Sequence, residues 1–236
     1  MQSFETPSAP PTASKSMPWW RELNRYHWFV LFVAVLGWMF DTMDQQLFNI
    51  ARVPAMRDLL RATPGEPADQ AVVQEYGGYA TSIFLLGWGS GGILFGILGD
   101  LLGRAKTMML TILFYSVFTG LSALSVGFTD FAVYRFLTGL GVGGEFAVGV
   151  SLVAEVMPER ARPFALGWVQ ALSAIGNITA ALVSMVLGSL AQAGAVDSEK
   201  SWRIMFFLGA GPALLTVFIF RYLKEPEKWQ NLKANL

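Results

Sequence analysis

Four ionisable residues lie in stretches that are otherwise almost wholly apolar or glycine: Asp41 and Asp44, then Arg135 and Glu145. The i, i+3 spacing of the aspartates places both carboxylates on one face of a helix. An acid facing an arginine can do one of two things. It can pin two helices together as a permanent salt bridge, or it can couple a proton to a solute. In the second case the aspartate keeps its charge while the arginine stays close, and takes up a proton when the arginine turns to a solute. The sequence leaves both open. Glu145 follows Gly143 and Gly144, where it could line a cavity or bond a neighbouring helix end. Gln170, Ser173 and Asn177 are uncharged polar groups that could face the same cavity or make ordinary interhelical bonds. Trp38, Trp88 and Trp168 could line a path or face lipid.

The elements that must position these groups are membrane helices. Of the 236 residues, 53% are hydrophobic and only 14% charged, against roughly a quarter charged in a soluble domain. Six segments approach the about 20 apolar residues that a spanning helix needs: 28–50, 76–98, 107–127, 131–154, 164–191 and 202–222. The expected fold is therefore an all-α membrane protein of six transmembrane helices over residues 28–222. Residues 1–27 read as a disordered tail rich in Ser, Thr, Pro and Ala, followed by an interfacial segment with Trp19, Trp20, Arg21, Arg25 and Tyr26. His27 reads as an interfacial residue at a helix entrance. The apolar run begins too late for a cleavable signal. Residues 51–75, with Pro54, Pro64, Gly65 and Pro67, read as the first loop, and 223–236 as the start of a linker. With these ends, Asp44 lies roughly 9 Å inside the outer end of the first helix and Arg135 roughly 6 Å inside that of the fourth. A charge near the bilayer centre costs about 2.5–3.5 kcal/mol, so an aspartate and the arginine are expected to meet.

Lys and Arg are unequally shared between the two sides. Lys15, Arg21, Arg25, Arg104, Lys106, Arg160, Arg162, Arg221, Lys224, Lys228 and Lys233 fall on the side of the amino terminus, against Arg52, Arg57, Arg61, Lys200 and Arg203 on the other. The excess predicts that both termini are cytoplasmic. Glycines cluster on the second helix (Gly87, Gly91, Gly92, Gly96) and the fourth (Gly139, Gly141, Gly143, Gly144), in small-xxx-small pairs that allow close packing. Gly92, Gly96, Gly139 and Gly143 are the expected contact positions. The chain has no cysteine and His27 is its one histidine, so no metal and no cofactor is expected. An intramembrane aspartyl protease needs a GxGD motif, and Ile97 stands where its first glycine would be.

Between the second and third helices the chain reads Gly96-Ile-Leu-Gly99-Asp100-Leu-Leu-Gly103-Arg104-Ala-Lys106. This resembles the GxxxD(R/K)xGR(R/K) signature of the major facilitator superfamily, with Leu101 where a base is usual. The run Arg135-xxx-Gly139-x-Gly141-x-Gly143-Gly144-Glu145 is similar to the RxxxGxGxGGE pattern of that family's sugar and organic-acid members. Glu155-xx-Pro158-xxx-Arg162 resembles its loop between helices four and five, and Trp202-Arg203 and Pro226-Glu227-x-Trp229 the start and aftermath of helix six. The resemblance implies a half of a twelve-helix fold, built as two inverted three-helix repeats in which the first and fourth helices are equivalent. It also implies that Asp100, Arg104, Glu155 and Arg162 form a charge network at the cytoplasmic gate. Asp41-xx-Asp44 is similar to the first-helix DxxD of proton-coupled organic and aromatic acid transporters.

The expectation is thus a non-enzymatic protein of the cell or inner membrane that moves a small solute, an organic acid with a proton, as the amino-terminal half of a symporter. Asp41, Asp44, Arg135, Glu145, Gln170 and Asn177 are its expected coupling and substrate groups. The alternatives are half of a sugar transporter and a truncated or accessory subunit that does not transport. The expected partners are the lipid bilayer, the solute, the proton and a second six-helix half, supplied by a separate chain or a second copy.

Overall fold

In the computed structural model, residues 18–61, 68–197, 200–211, 222–226 and 229–230 are described. Six helices follow a 3-10 turn at Trp19–Glu22: α1 (Arg25–Leu59), α2 (Gln70–Leu102), α3 (Arg104–Ser122), α4 (Phe128–Val156), α5 (Arg162–Gln192) and α6 (Ser201–Gly209). No strand occurs among the described residues. The first five helices are long and apolar enough to cross a membrane. Residues 212–221 of the sixth expected span lie outside the described residues, as do residues 1–17 of the expected tail.

Local chemistry sets the helix ends. Asn24 and His27 cap α1 reciprocally: the Asn24 side chain accepts from His27 N–H (2.9 Å) and Asn24 N–H donates to His27 Nδ1 (3.2 Å). Asp69 accepts from Ala71 N–H (2.9 Å) to start α2, and Asp130 accepts from Val126 and Gly127 N–H to start α4. Each bond satisfies a donor that the helix itself leaves unpaired. Gly103, at φ +110°, ends α2 and turns the chain into α3, a conformation that favours glycine.

The first loop is shorter than expected, because α1 runs through Pro54 to Leu59 and α2 begins at Gln70. Pro54 cannot donate to the carbonyl one turn back, yet Ala51, Ala55 and Met56 beyond the expected helix end are buried against Val73 and Ala80 of α2 and Trp202 of α6. Arg52 also donates to Thr81 Oγ1 across the two helices (2.9 Å). This packing holds the helix on both sides of the proline. The expected spans match the hydrocarbon thickness, whereas α1 has 35 residues and α2 has 33, well beyond what about 30 Å of bilayer core requires.

Three helix pairs pack most extensively, α2 on α4, α1 on α5 and α3 on α4; α6 lies against α1. Each repeat, α1–α3 and α4–α6, therefore seats its second and third helices on the first helix of the other. The α2–α4 contact depends on absent side chains. A Cβ at Gly87 or Gly91 would overlap the backbone of Phe136 or Leu140, and one at Gly139 or Gly143 the backbone of Phe84 or Trp88. Gly139 and Gly143 thus lie directly against the α2 backbone. Open space lies beside Gly96, and a Cβ at Gly92 would meet only the Gly143 carbonyl at an ordinary 3.5 Å. Both Gly87/Gly91 and Gly92/Gly96 have the i, i+4 spacing, and only the rotation of α2 about its axis chooses between them. Across the other pair, Gly176 of α5 lies against the Met39 carbonyl and Thr42 of α1.

Gly91→Ala should lower stability by about 1–3 kcal/mol through overpacking, whereas Gly96→Ala should be neutral or slightly stabilising because glycine is the poorer helix former. Unfolding of the two variants in detergent measures the difference. Equal melting would place α2 in the other rotation.

Candidate functional site

Among the described residues, five titratable side chains are fully buried in the bundle, and they form two groups along the α1–α4 seam. The first is an ion pair. Arg135 Nη2 of α4 donates to Asp44 Oδ2 of α1 at 3.4 Å, with neither side chain reaching solvent. Three phenyl rings from three helices surround the guanidinium: Phe48 of α1 at 4.3 Å, Phe84 of α2 at 4.9 Å and Phe206 of α6 at 5.4 Å from ring centre to Cζ. Their π faces attract the cation. Asp44 Oδ1 stands over Gly209 of α6, and Thr119 of α3 is beside it. Arg135 Nε and Nη1 and Asp44 Oδ1 make no hydrogen bond among the described residues. The pair therefore holds unused capacity on both members, enough to accept a new partner without first breaking several bonds.

The second group is acidic. Asp41, one turn below Asp44, faces Glu145 of α4 and the Tyr115 hydroxyl of α3. Glu145 lies over Gly37 of α1, where a Cβ would overlap its Oε1. Two carboxyl groups side by side in a medium of low dielectric compete for a single proton. Both Asp41 oxygens lack a hydrogen bond of good geometry, so the group is held by packing rather than by a fixed network.

Beside this pair runs a half-buried aromatic strip. Trp38 of α1 and Phe146 of α4 have ring centres 4.6 Å apart, and Phe146 and Trp88 of α2 are 6.1 Å apart. Trp38 Nε1 donates to Gln170 Oε1 of α5 (3.2 Å), which leaves the Gln170 amide NH2 available. Gln170 and Asn177 are both exposed on α5, two turns apart on one face. Ser173, by contrast, is turned into the α1 contact, where its carbonyl accepts from Thr42 Oγ1 (3.0 Å).

At the amino-terminal face Arg104 bonds Glu155 through Nε and Nη2, each at 3.0 Å, and pairs with Asp100 one turn back. Arg162 starts α5 and stands outside these pairs, its Nε buried without a partner. A residue absent from the sequence reading, Glu225, accepts from Ala105 and Lys106 N–H at the start of α3, both at 3.1 Å. Its carboxyl also occupies the space that a side chain at residue 103 would need. Trp229 Nε1 donates to the Asp100 carbonyl (2.7 Å), and the Tyr26 hydroxyl to that of Lys224 (2.8 Å). On the opposite face, Asp58 accepts from Trp202 Nε1 and Arg203 Nη2, both at 3.1 Å, while Arg203 Nη1 donates to the Ala123 and Ser125 carbonyls.

Long apolar helices with an acid–arginine pair sealed inside define an integral, multi-pass membrane protein. The chain belongs to the Major Facilitator Superfamily, which it matches over residues 20–236. It is 33% identical over 202 residues to a "Probable 4-methylmuconolactone transporter" of Cupriavidus pinatubonensis, covering 84% of this chain and 43% of that one. It is 30% identical over 203 residues to the niacin transporter NiaP of Acinetobacter baylyi, covering 86% and 42%. Among solved structures it resembles the partially occluded, inward-open xylose transporter XylE from E. coli, with a TM-score of 0.72 and 21% identity, over 89% of this chain and 51% of that one. The chain thus spans about half the length of these proteins. The family and these relatives are transporters, not enzymes.

Asp44→Asn should cost about 3–5 kcal/mol, because it leaves the Arg135 charge buried without its counter-charge. Asp41→Asn breaks no ion pair and should cost about 1 kcal/mol or less. Denaturant unfolding of both variants separates them, and equal losses would mean that Asp41 also neutralises the arginine.

Proposed function

We propose that this chain is the amino-terminal half of a secondary transporter that moves a small organic acid together with protons. The observation that carries the reading is the buried Asp44–Arg135 pair joining α1 to α4, because a structural tie alone does not require charges where apolar side chains would be cheaper to bury. In this reading Arg135 is the group that a solute carboxylate competes for, and Asp44 takes up a proton when the arginine leaves it. Asp41 and Glu145, one turn away, hold a second proton between them. Gln170 and Asn177 face the solute from α5. The names of relatives, for niacin and benzoate among others, support an organic acid as solute.

The Arg104, Asp100 and Glu155 contacts act as a gate at the cytoplasmic side, with both termini on that side, as the excess of Lys and Arg there supports. Arg162 joins the gate in another access state. Solute passes between this half and a second six-helix half, and α2 and α5 offer that half their exposed faces, where Leu85, Leu86, Ile178 and Leu182 are open. Residues 1–27 and 223–236 flank the membrane domain as tail and linker. A second reading, a half that handles a sugar, is favoured by the backbone likeness to a proton:xylose symporter.

The test is solute-driven proton uptake by liposomes holding the purified chain, with its oligomeric mass measured in parallel, against panels of organic acids and sugars. Uptake with organic acids alone supports the reading, and uptake with sugars alone replaces it by the second. In a transporting assembly Asp41→Asn should abolish proton uptake at unchanged expression, and Asp44→Asn should do the same with a loss of folded protein. Normal pH-dependent uptake in both variants sinks the coupling roles. Arg104→Gln should shift the balance of inward and outward states while leaving solute binding within about threefold; loss of binding would move that residue into the site.

A further inference from the structure

At the amino-terminal end of α1 the seam with α5 opens into an apolar groove. Trp28, Leu31, Phe32 and Val35 of α1 form one wall, and Trp168 and Leu172 of α5 form the other. Trp28, Phe32 and Trp168 are each about half exposed. On α5 these two residues point away from the face that carries Gln170 and Asn177, since a separation of two residues turns a helix by about 200°. The groove therefore looks outward to the bilayer and is separate from the buried acids.

Its end is closed by the 3-10 turn. The Trp19 ring stacks on Phe164 at 5.2 Å with the planes parallel, and its centre is 6.5 Å from that of Trp28. Trp20 completes the lining, and Glu22 ties the turn to the α4–α5 loop through Arg160 (3.1 Å). The turn thus forms a fixed end wall. Tryptophan at this depth is suited to the headgroup boundary, where an apolar ring meets a wet edge.

The rim is basic. Arg25, Trp28, Phe32 and Val35 follow the i, i+3, i+7, i+10 spacing of one helix face, so Arg25 stands at the mouth of the same stripe that lines the groove. Arg21 lies in the turn itself. Both are exposed, and neither makes an ion pair among the described residues. An apolar groove closed at one end by the turn that carries Arg21, with Arg25 continuing the stripe of one wall, complements one chemistry: an acyl chain ending in a negatively charged phosphate headgroup.

We infer that this groove is a selective seat for an anionic glycerophospholipid of the leaflet that surrounds the amino-terminal end of α1. The acyl chain lies between Trp28, Phe32 and Trp168, and the headgroup is held by Arg21 and Arg25. Bidentate pairing suits arginine to the phosphate. Bulk lipid merely wetting the helices would show no preference for charge and none for this seam.

The test uses the full chain in vesicles of phosphatidylcholine and phosphatidylglycerol, with a trace of one or the other lipid carrying a diazirine in its acyl chain. After photolysis, labelled peptides are mapped by mass spectrometry. The expected result is stronger labelling of the Trp28–Val35 and Trp168–Leu172 segments by the phosphatidylglycerol probe than by the phosphatidylcholine probe. Arg21→Gln and Arg25→Gln should each reduce that labelling about fivefold, without changing labelling by phosphatidylcholine or the melting temperature. Equal labelling by the two probes, or labelling by phosphatidylglycerol that survives both substitutions, overturns the assignment. So does labelling no denser here than over the exposed leucines of α2.

Discussion

A guanidinium that never reaches water constrains nearly every element of this bundle. Arg135 draws its counter-charge from α1, its aromatic walls from α1, α2 and α6, and the groups beside its partner from α3 and α6. A charge in hydrocarbon is tolerated only where partners converge on it, so these helices must meet at one depth. Phe206 supplies its ring only while α6 lies on α1, and Thr119 is beside Asp44 only while α3 lies on α4. The ion pair is in this sense a common reference point for packing as well as a chemical group.

The glycines of α2 and α4 solve the complementary problem. Helices that carry large side chains on every face could not bring Phe84 within range of an arginine on α4. With Gly87 and Gly91 set against Phe136 and Leu140, and Gly139 and Gly143 against Phe84 and Trp88, the two backbones touch directly. Gly37 serves the second acidic group in the same way, since only a missing side chain leaves space for Glu145 beside Asp41. The membrane supplies little hydrophobic drive between helices, so close van der Waals contact is the main force available.

The helices and the buried charges were legible in the sequence because both are one-dimensional signals: an apolar run, and a charge that interrupts it. The meeting of an aspartate with Arg135 followed from depth alone. Which aspartate it would be did not, because Asp41 and Asp44 share a face and differ by one turn; the choice rests on how far α4 is displaced along α1. The phenyl cage, Tyr115 and Thr119 were illegible for a related reason, as phenylalanines occur on every helix here and tyrosines and threonines on most, and only packing marks the ones that count. Glu225 gave no signal, since an acid after a helix end looks like a solvated charge until the start of α3 is seen beneath it. The end of α1 was misread because Pro54 is ordinarily a breaker, and the burial of Ala55 and Met56 depends on α2 and α6, far away in sequence.

The described residues after α6 are fastened to the bundle, Lys224 to Tyr26, Glu225 to the first turn of α3, and Trp229 to Asp100. A leash is only as long as its free part, and the reach of a flexible chain scales with the residues that are not tied down. Any polypeptide continuing from here starts its path beneath the α2–α3 turn. A body attached through it would be drawn towards the corner that holds Arg104 and Glu155, so the anchorage sets both where a tethered neighbour is found and how concentrated it is there.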